Sequence, residues 1–305
     1  MENVLEQILE ENRKYTNYGH VATYIPELKN ARQDDLGICM IDMNNVIHTA
    51  GSYNKKFTIQ SISKPIILAL VLSENDWEYV FSKVGMEPSG DPFNSIMKLE
   101  TNNTKKPCNP MINAGAIVTT SMIKGETLAE REEKMLNFFK KLAKNDNLKI
   151  NYDVYESEKA TGDRNRAMAY LLKNDGFIEG DVEEVLDLYF KQCSIEIDCV
   201  DLARMGVNLA SYGLDIETGE RLIDERISRI VKTFMVTCGM YDASGEFAIK
   251  VGIPAKSGVG GGIMASVPKK MGIGIYGPAL DKKGNSIAGI KILQNLSEKY
   301  KINIF

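Results

Sequence analysis

Strand-like runs near the two ends of this 305-residue chain enclose a mainly helical middle, and that separation constrains its fold more than any other feature. Residues 36–42 and 46–50 form one pair, with Asn44-Asn45 between them suited to a tight hairpin turn. Residues 247–252, 262–267 and 271–276 read as strands near the other end. Between these groups, 62–232 is mainly helical: helices are expected over 153–172, 182–192 and 200–212. Thr127 and Glu130 form a capping box ahead of another over 128–142. Helices over 2–15 and 287–300 flank the strands. The pattern predicts one discontinuous α/β domain, residues 1–61 with 233–305, interrupted by a helical domain over 62–232. A cleft between the two is the natural place for a small-molecule site.

Composition excludes several classes of function. With 44% hydrophobic and 26% charged residues the chain is globular, and a net charge of -4 gives no basic footprint for nucleic acid or membrane. The longest apolar run, 65–72, is far too short to span a bilayer, and the acidic N-terminus lacks a signal-peptide pattern. Five cysteines, Cys39, Cys108, Cys193, Cys199 and Cys238, form no CxxC pair and predict free thiols in the cytoplasm. His20 and His48 are the only histidines. No zinc motif exists, and hydrolytic chemistry needs a base other than histidine. Because no regulatory extension or repeat tail accompanies the catalytic region, little built-in regulation is expected.

Ser61-Ile62-Ser63-Lys64 matches Ser-x-x-Lys, the motif of serine hydrolases that use lysine as base. The spacing recurs at Ser52/Lys55, Ser95/Lys98, Ser121/Lys124 and Ser266/Lys269, so context must discriminate. Ser61 alone follows an extended-looking segment and precedes a buried apolar helix whose first turn tolerates Pro65. Three residues apart on a helix, a serine and a lysine share a face. A lysine becomes a base when burial lowers its pKa, and a helix N-terminus stabilises a developing anion. Those residues leave two readings open: nucleophile and base, or a helix cap beside a solvated lysine. Lys256-Ser257-Gly258 favours the first. It resembles the Lys-Thr-Gly strand lining the site of penicillin-recognising enzymes, and Gly260, Gly261 and Gly262 after it permit close approach of a ligand. A backbone N–H there and that of Ser61 are the candidate oxyanion donors.

Taken together, the chain resembles the glutaminase family over about 19–289. The resemblance is carried by Ala22-Thr23-Tyr24-Ile25-Pro26-Glu27-Leu28, Gln60-Ser61-Ile62-Ser63-Lys64, Glu87-Pro88-Ser89-Gly90-Asp91-Pro92-Phe93-Asn94 and Asn109-Pro110-Met111-Ile112-Asn113-Ala114-Gly115-Ala116. It continues through Thr161-Gly162-Asp163-Arg164-Asn165, Cys238-Gly239-Met240-Tyr241-Asp242 and Pro254-Ala255-Lys256-Ser257-Gly258. It implies a serine β-lactamase-like α/β (α+β) fold: an antiparallel sheet flanked by helices, with an all-helical second domain. It implies hydrolysis of L-glutamine to L-glutamate and ammonia through a seryl acyl-enzyme. Ser61 is then the nucleophile, Lys64 its base and Tyr241 a second acid/base. Substrate contacts fall on Tyr24, Ser61, Asn113, Glu158, Asn165, Tyr189, Tyr241 and the backbone of Val259. No metal or organic cofactor is implied, and a homodimer or homotetramer is expected. These residue types suit zwitterionic glutamine: Glu158 for its ammonium, Asn165 and Tyr189 for its carboxylate. Two rivals share such a pocket. A β-lactamase or D-Ala peptidase would add Ser-Asp-Asn, which does not occur in the chain. A non-catalytic glutamine sensor would not need Ser61, Lys64 and Tyr241 together.

Overall fold

A computed structural model describes residues 2–90, 94–96 and 105–305. The strands are β1 (Gly37–Asp42), β2 (Ile47–Gly51), β3 (Phe57–Thr58), β4 (Lys149–Ile150), β5 (Ile195–Ile197), β6 (Ala255–Ser257), β7 (Gly262–Val267) and β8 (Met271–Tyr276). The helices begin with α1 (Glu2–Arg13), α2 (Ser63–Glu74), α3 (Trp77–Lys83), α4 (Asn113–Ser121), α5 (Leu128–Ala143) and α6 (Tyr152–Ala160). They continue with α7 (Asp163–Asn174), α8 (Val182–Cys193), α9 (Cys199–Ala210), α10 (Glu225–Cys238), α11 (Ser244–Lys250) and α12 (Ile287–Tyr300).

The terminal strands build one antiparallel sheet in the order β2-β1-β8-β7-β6. Its register runs from Gly37 opposite Tyr276 to Asp42 opposite Met271, so the first strand lies beside the last. Alternation decides which face each side chain buries. Ile38, Met40, Ile263, Ala265, Val267, Ile273 and Ile275 join a core with Leu5, Ile8 and Leu9 of α1 and Ile292, Leu293 and Leu296 of α12. Cys39, Ile41, Met264 and Tyr276 belong instead to the core shared with the helices. On that second face α9 lies with its backbone against the sheet. A Cβ at Gly274 would come 2.1 Å from the Cys199 carbonyl oxygen, which only glycine avoids.

Helix α2 is the spine of the helical part. Every residue from Ser63 to Leu72 is buried, as a helix apolar on all sides requires. Its two polar groups at the N-terminus are satisfied internally. Ser63 Oγ donates to the Gln60 carbonyl at 2.8 Å and accepts from Gln192 Nε2 at 2.9 Å. Gln192 Oε1 in turn accepts from Thr120 Oγ1 at 2.8 Å, which ties α2 to α4 and α8. No helix among the described residues is long and apolar enough to cross a membrane.

Several expectations need correction. Residues 247–252 are not a strand. Phe247 and Val251 are four apart and both buried on one face of the α11 turn, and the edge strand is β6 instead. Residues 153–172 form two helices broken at Thr161-Gly162, where a Cβ on Gly162 would lie 2.5 Å from the Phe190 ring. Only half of the capping box forms. Thr127 accepts from the Glu130 N–H at 3.2 Å, but the Glu130 carboxylate turns to the N–H of Glu126 at 2.9 Å. A second, three-stranded sheet, β3-β5-β4, joins Phe57–Thr58 to two strands of the helical part, all too short to leave a periodic signal. Asp91, Pro92, Phe93 and Lys98 lie outside the described residues.

Candidate active site

Ser61 lies in a single 3-10 turn, Gln60–Ile62, that feeds directly into α2. Gln60 adopts a left-handed backbone, φ 51°, costly for a residue with a side chain, and the sharp turn it makes sets Ser61 at the helix mouth. Tyr241 occupies a second turn, Tyr241–Ala243, and is also left-handed at φ 52°. The two turns converge, so that Ser61 interacts with the Tyr241 hydroxyl. Burial drives the Tyr241 pKa upward and Ser61 partly offsets it, so the phenol stays protonated near neutrality.

One turn along, Lys64 is 1% exposed. Its ammonium nitrogen donates to the Met111 carbonyl at 3.2 Å and to Asn113 Oδ1 at 2.7 Å, both neutral acceptors. Burial lowers its pKa to about 8, against a smaller upward pull from Cys193 and Glu158. Lys256, on β6, is wholly buried. Its nitrogen sits 4.3 Å from the Tyr241 ring centroid and donates to the Ser257 carbonyl at 2.6 Å. Desolvation first, then Lys64, depresses the Lys256 pKa. Two like charges this deeply buried disfavour each other, which adds to the neutral character of the pair.

Tyr24, Ser61, Asn113, Glu158, Asn165 and Tyr189 all line one cleft. They come from six separate elements: the 22–25 strap, the Ser61 turn, α4, α6, α7 and α8. Asn113 is the hinge of its polar wall, accepting from Lys64 and donating through Nδ2 to Asn165 Oδ1 at 3.1 Å. Glu158 is 6% exposed, and its Oε1 has no hydrogen-bond partner among the described residues. Desolvation raises its pKa to about 8, with a Gln60 hydrogen bond and Lys64 opposing. Tyr24 lines the cleft although it is 55% exposed as a residue, and burial first, then Glu158, drives its pKa upward.

Val259 does not line this cleft. Its side chain packs with Ile25, Leu280 and Tyr241, while the neighbouring Gly258 and Gly260 press against Gln60 and the carbonyls of Ile59 and Thr58. The N–H groups of Ser61 and Val259 make no hydrogen bond among the described residues. Sequence reasoning gave no role to Gln60 or Cys193, which also line the cleft. Neither carries a periodic or motif signal of its own. The other Ser-x-x-Lys pairs whose residues are all described lie elsewhere: Lys55 pairs with Asp35, the Lys124 N–H donates to Glu74 and Lys269 stands beside Tyr212.

A sheet closed between helices, with a serine and a buried lysine one turn apart beside a glycine strap, defines the serine β-lactamase-like class of fold. The glutaminase family model matches residues 19–305. A glutaminase of Clostridioides difficile (strain 630) is 76% identical, with 100% of this chain and 98% of that one covered. A Bacillus glutaminase crystallised in 4.3 M NaCl superposes with a TM-score of 0.93 at 40% identity, covering 100% and 99%. The Bacillus subtilis glutaminase in covalent complex with 5-oxo-L-norleucine, formed by reaction with 6-diazo-5-oxo-L-norleucine, superposes with a TM-score of 0.91 at 38% identity, covering 100% and 99%. The chain belongs to the glutaminase family, the L-glutamine amidohydrolases.

Proposed function

We propose that the chain hydrolyses L-glutamine to L-glutamate and ammonia through a glutamyl ester on Ser61, with Lys64 as the base and Tyr241 as a second acid/base. The observation that carries this reading is the turn itself: an alcohol at the mouth of a helix, one helical turn from a desolvated lysine. Lys64 takes the Ser61 proton as Oγ bonds to the side-chain carbonyl carbon. The N–H groups of Ser61 and Val259, which make no hydrogen bond among the described residues, receive the oxyanion. The departing nitrogen takes a proton from Lys64 or Tyr241, the C–N bond breaks and ammonia leaves. A water then gives its proton to the same base and attacks the ester, returning the serine.

Glu158 meets the substrate ammonium with its unpartnered Oε1, and Asn165, Tyr189 and Tyr24 complete the binding wall with Asn113. An arriving cation converts Glu158 from an uncomfortable buried acid into a paired carboxylate. The segregation of Ile38 and Met40 from Cys39 and Ile41 into separate cores supports a two-part division near residues 61 and 233, with the cleft between the parts. We assign the enzyme to a reducing compartment, the cytoplasm, on its five free cysteines, and expect a homodimer or homotetramer.

Three outcomes follow. Tyr241→Phe keeps the ring over Lys256 but loses the hydroxyl, and kcat falls by about 10²–10³-fold with KM little changed; a kcat within threefold of the native enzyme removes Tyr241 from proton transfer. The pH dependence has a defined sign. Lys64 works deprotonated and Glu158 ionised, and both titrate at about 8, so kcat/KM for ammonia release rises with pH through that value. Stability moves oppositely where Glu158 dominates. Its folded pKa lies above its ordinary 4.5, so its contribution is full below 4.5 and is lost as pH rises through about 8. Glu158→Gln therefore stabilises the substrate-free fold by roughly 1–3 kcal/mol at pH 8, with the gain vanishing toward pH 5, while glutamine binding weakens. Thermal melts at the two pH values read it, and an equal gain at both contradicts it.

A further inference from the structure

We propose that the groove between α11 and α12 binds an anionic amphiphile, a carboxylate on an apolar chain, and that its occupation lowers kcat without obstructing the substrate cleft. The binding stands on the groove alone; its effect on turnover rests on the roles given above to Tyr241 and the Val259 N–H.

The floor of the groove is apolar and its rim cationic. Phe247 of α11 is buried, whereas Ile287 and Ile290 of α12 are only half-buried where they line the groove. Lys250, Lys282, Lys283 and Lys291 line it with them. Their counter-charge is incomplete. Glu246 pairs with Lys250 at 2.5 Å and lies 4.0 Å from Lys283. Asp281 is taken up by its own turn, accepting from the N–H groups of Lys283 at 2.8 Å and Asn285 at 3.0 Å. Lys282 and Lys291 have no carboxylate partner among the described residues. Unpaired cations beside accessible apolar surface complement a ligand charged at one end and apolar along its length. The lysine stems carry that apolar surface up to the charge. Neither an apolar alcohol nor a bare anion satisfies both.

The groove reaches the reaction centre through one turn, residues 281–285. Asn285 Nδ2 donates to the Met240 carbonyl at 3.3 Å and Lys283 Nζ to the Asp242 carbonyl at 3.4 Å, so the turn grips the backbone on both sides of Tyr241. Between them Gly284 has φ 92°, and a Cβ there would lie 3.4 Å from Val259 Cγ1 and 3.5 Å from the Tyr241 ring. A carboxylate that takes Lys283 draws it from the Asp242 carbonyl and loosens the turn that fixes the left-handed Tyr241.

The probe is decanoate, kept below the concentration at which it forms micelles, with decanol and acetate as controls for tail and charge. Calorimetry on the native chain shows one saturable decanoate site, with decanol and acetate weaker by about tenfold or more. In the ammonia assay, saturating decanoate lowers kcat by about two- to fivefold and changes KM for glutamine by less than about twofold. Lys282→Glu and Ile290→Ser each weaken decanoate by about tenfold and keep the native kcat and KM in its absence. Should the serine variant not fold, Lys282→Glu carries the test, since that side chain is exposed. Decanol or acetate binding as tightly as decanoate, binding unchanged in the variants, or a rise in KM that puts decanoate in the cleft overturns the proposal. Binding with kcat unchanged overturns the coupling. If decanoate lowers kcat as expected while Tyr241→Phe retains near-native kcat, the fault lies in the role given to Tyr241 and not in the groove.

Discussion

Ser61→Ala lowers the rate of ammonia release from glutamine by about 10⁴–10⁶-fold and leaves glutamine binding within a few-fold of native. The loss corresponds to about 5–8 kcal/mol of transition-state stabilisation. It is that large because the hydroxyl is the atom that bonds to carbon, and no other group in the cleft replaces it. Cys193 is the nearest chemical substitute, but burial pushes its thiol well above the ordinary range and keeps it protonated. Binding survives because Glu158, Asn113, Asn165 and Tyr189 are on different elements from Ser61 and need no contact with it to hold their places. Calorimetry and an ammonia assay on one preparation separate the two effects. Weak binding together with lost turnover would point to Ser61 as a structural cap.

Lys64→Arg and Lys64→Met both lose about 10³–10⁵-fold in kcat, and the similarity of the two is the informative part. Arginine remains protonated at every accessible pH and cannot accept the serine's proton. Methionine fills the space without a basic atom. If Lys64 served only as a fixed positive charge, arginine would restore most of the rate. Neither variant should unfold. Methionine leaves the Met111 carbonyl and Asn113 Oδ1 without a donor, a cost of about 1–3 kcal/mol, but it also removes a cation that the interior disfavours. The residual activity of the methionine variant also loses the rise through pH 8 that Lys64 contributes. Activity of the arginine variant within tenfold of native assigns the base to another group.

The catalytic pair was legible in the sequence because its signal is local. Ser61 and Lys64 are separated by one helical turn, and the apolar run after them announces a helix that must be buried. The strands β1, β7 and β8 were legible for a similar reason, since burial on both faces of the sheet makes each a short apolar run. What was not legible depends on distance along the chain. Phe247 and Val251 gave an apolar pattern that fits a strand or a single helical turn, and only packing against α12 and β6 decides between them. The break at Gly162 follows from Phe190, 28 residues on, whose ring occupies the space a longer helix would need. The two-residue strands β3 and β4 are held by β5 alone and leave no period to read. Tyr24, Asn113, Glu158, Asn165 and Tyr189 were found through resemblance, not through spacing, because five separate elements bring them together. Gln60 escaped assignment although it adjoins Ser61: a left-handed glutamine has no signature in sequence.

The reading rests on Ser61 becoming acylated while Lys64 holds its proton. Treating the protein with 6-diazo-5-oxo-L-norleucine, digesting it and sequencing the modified peptide by mass spectrometry locates the bonded atom. A single adduct on Ser61, absent in Ser61→Ala and formed faster as pH rises through about 8, is the predicted result. Labelling that falls on Cys193, on Tyr241 or on any residue outside the cleft, or that proceeds unchanged in Ser61→Ala, contradicts it.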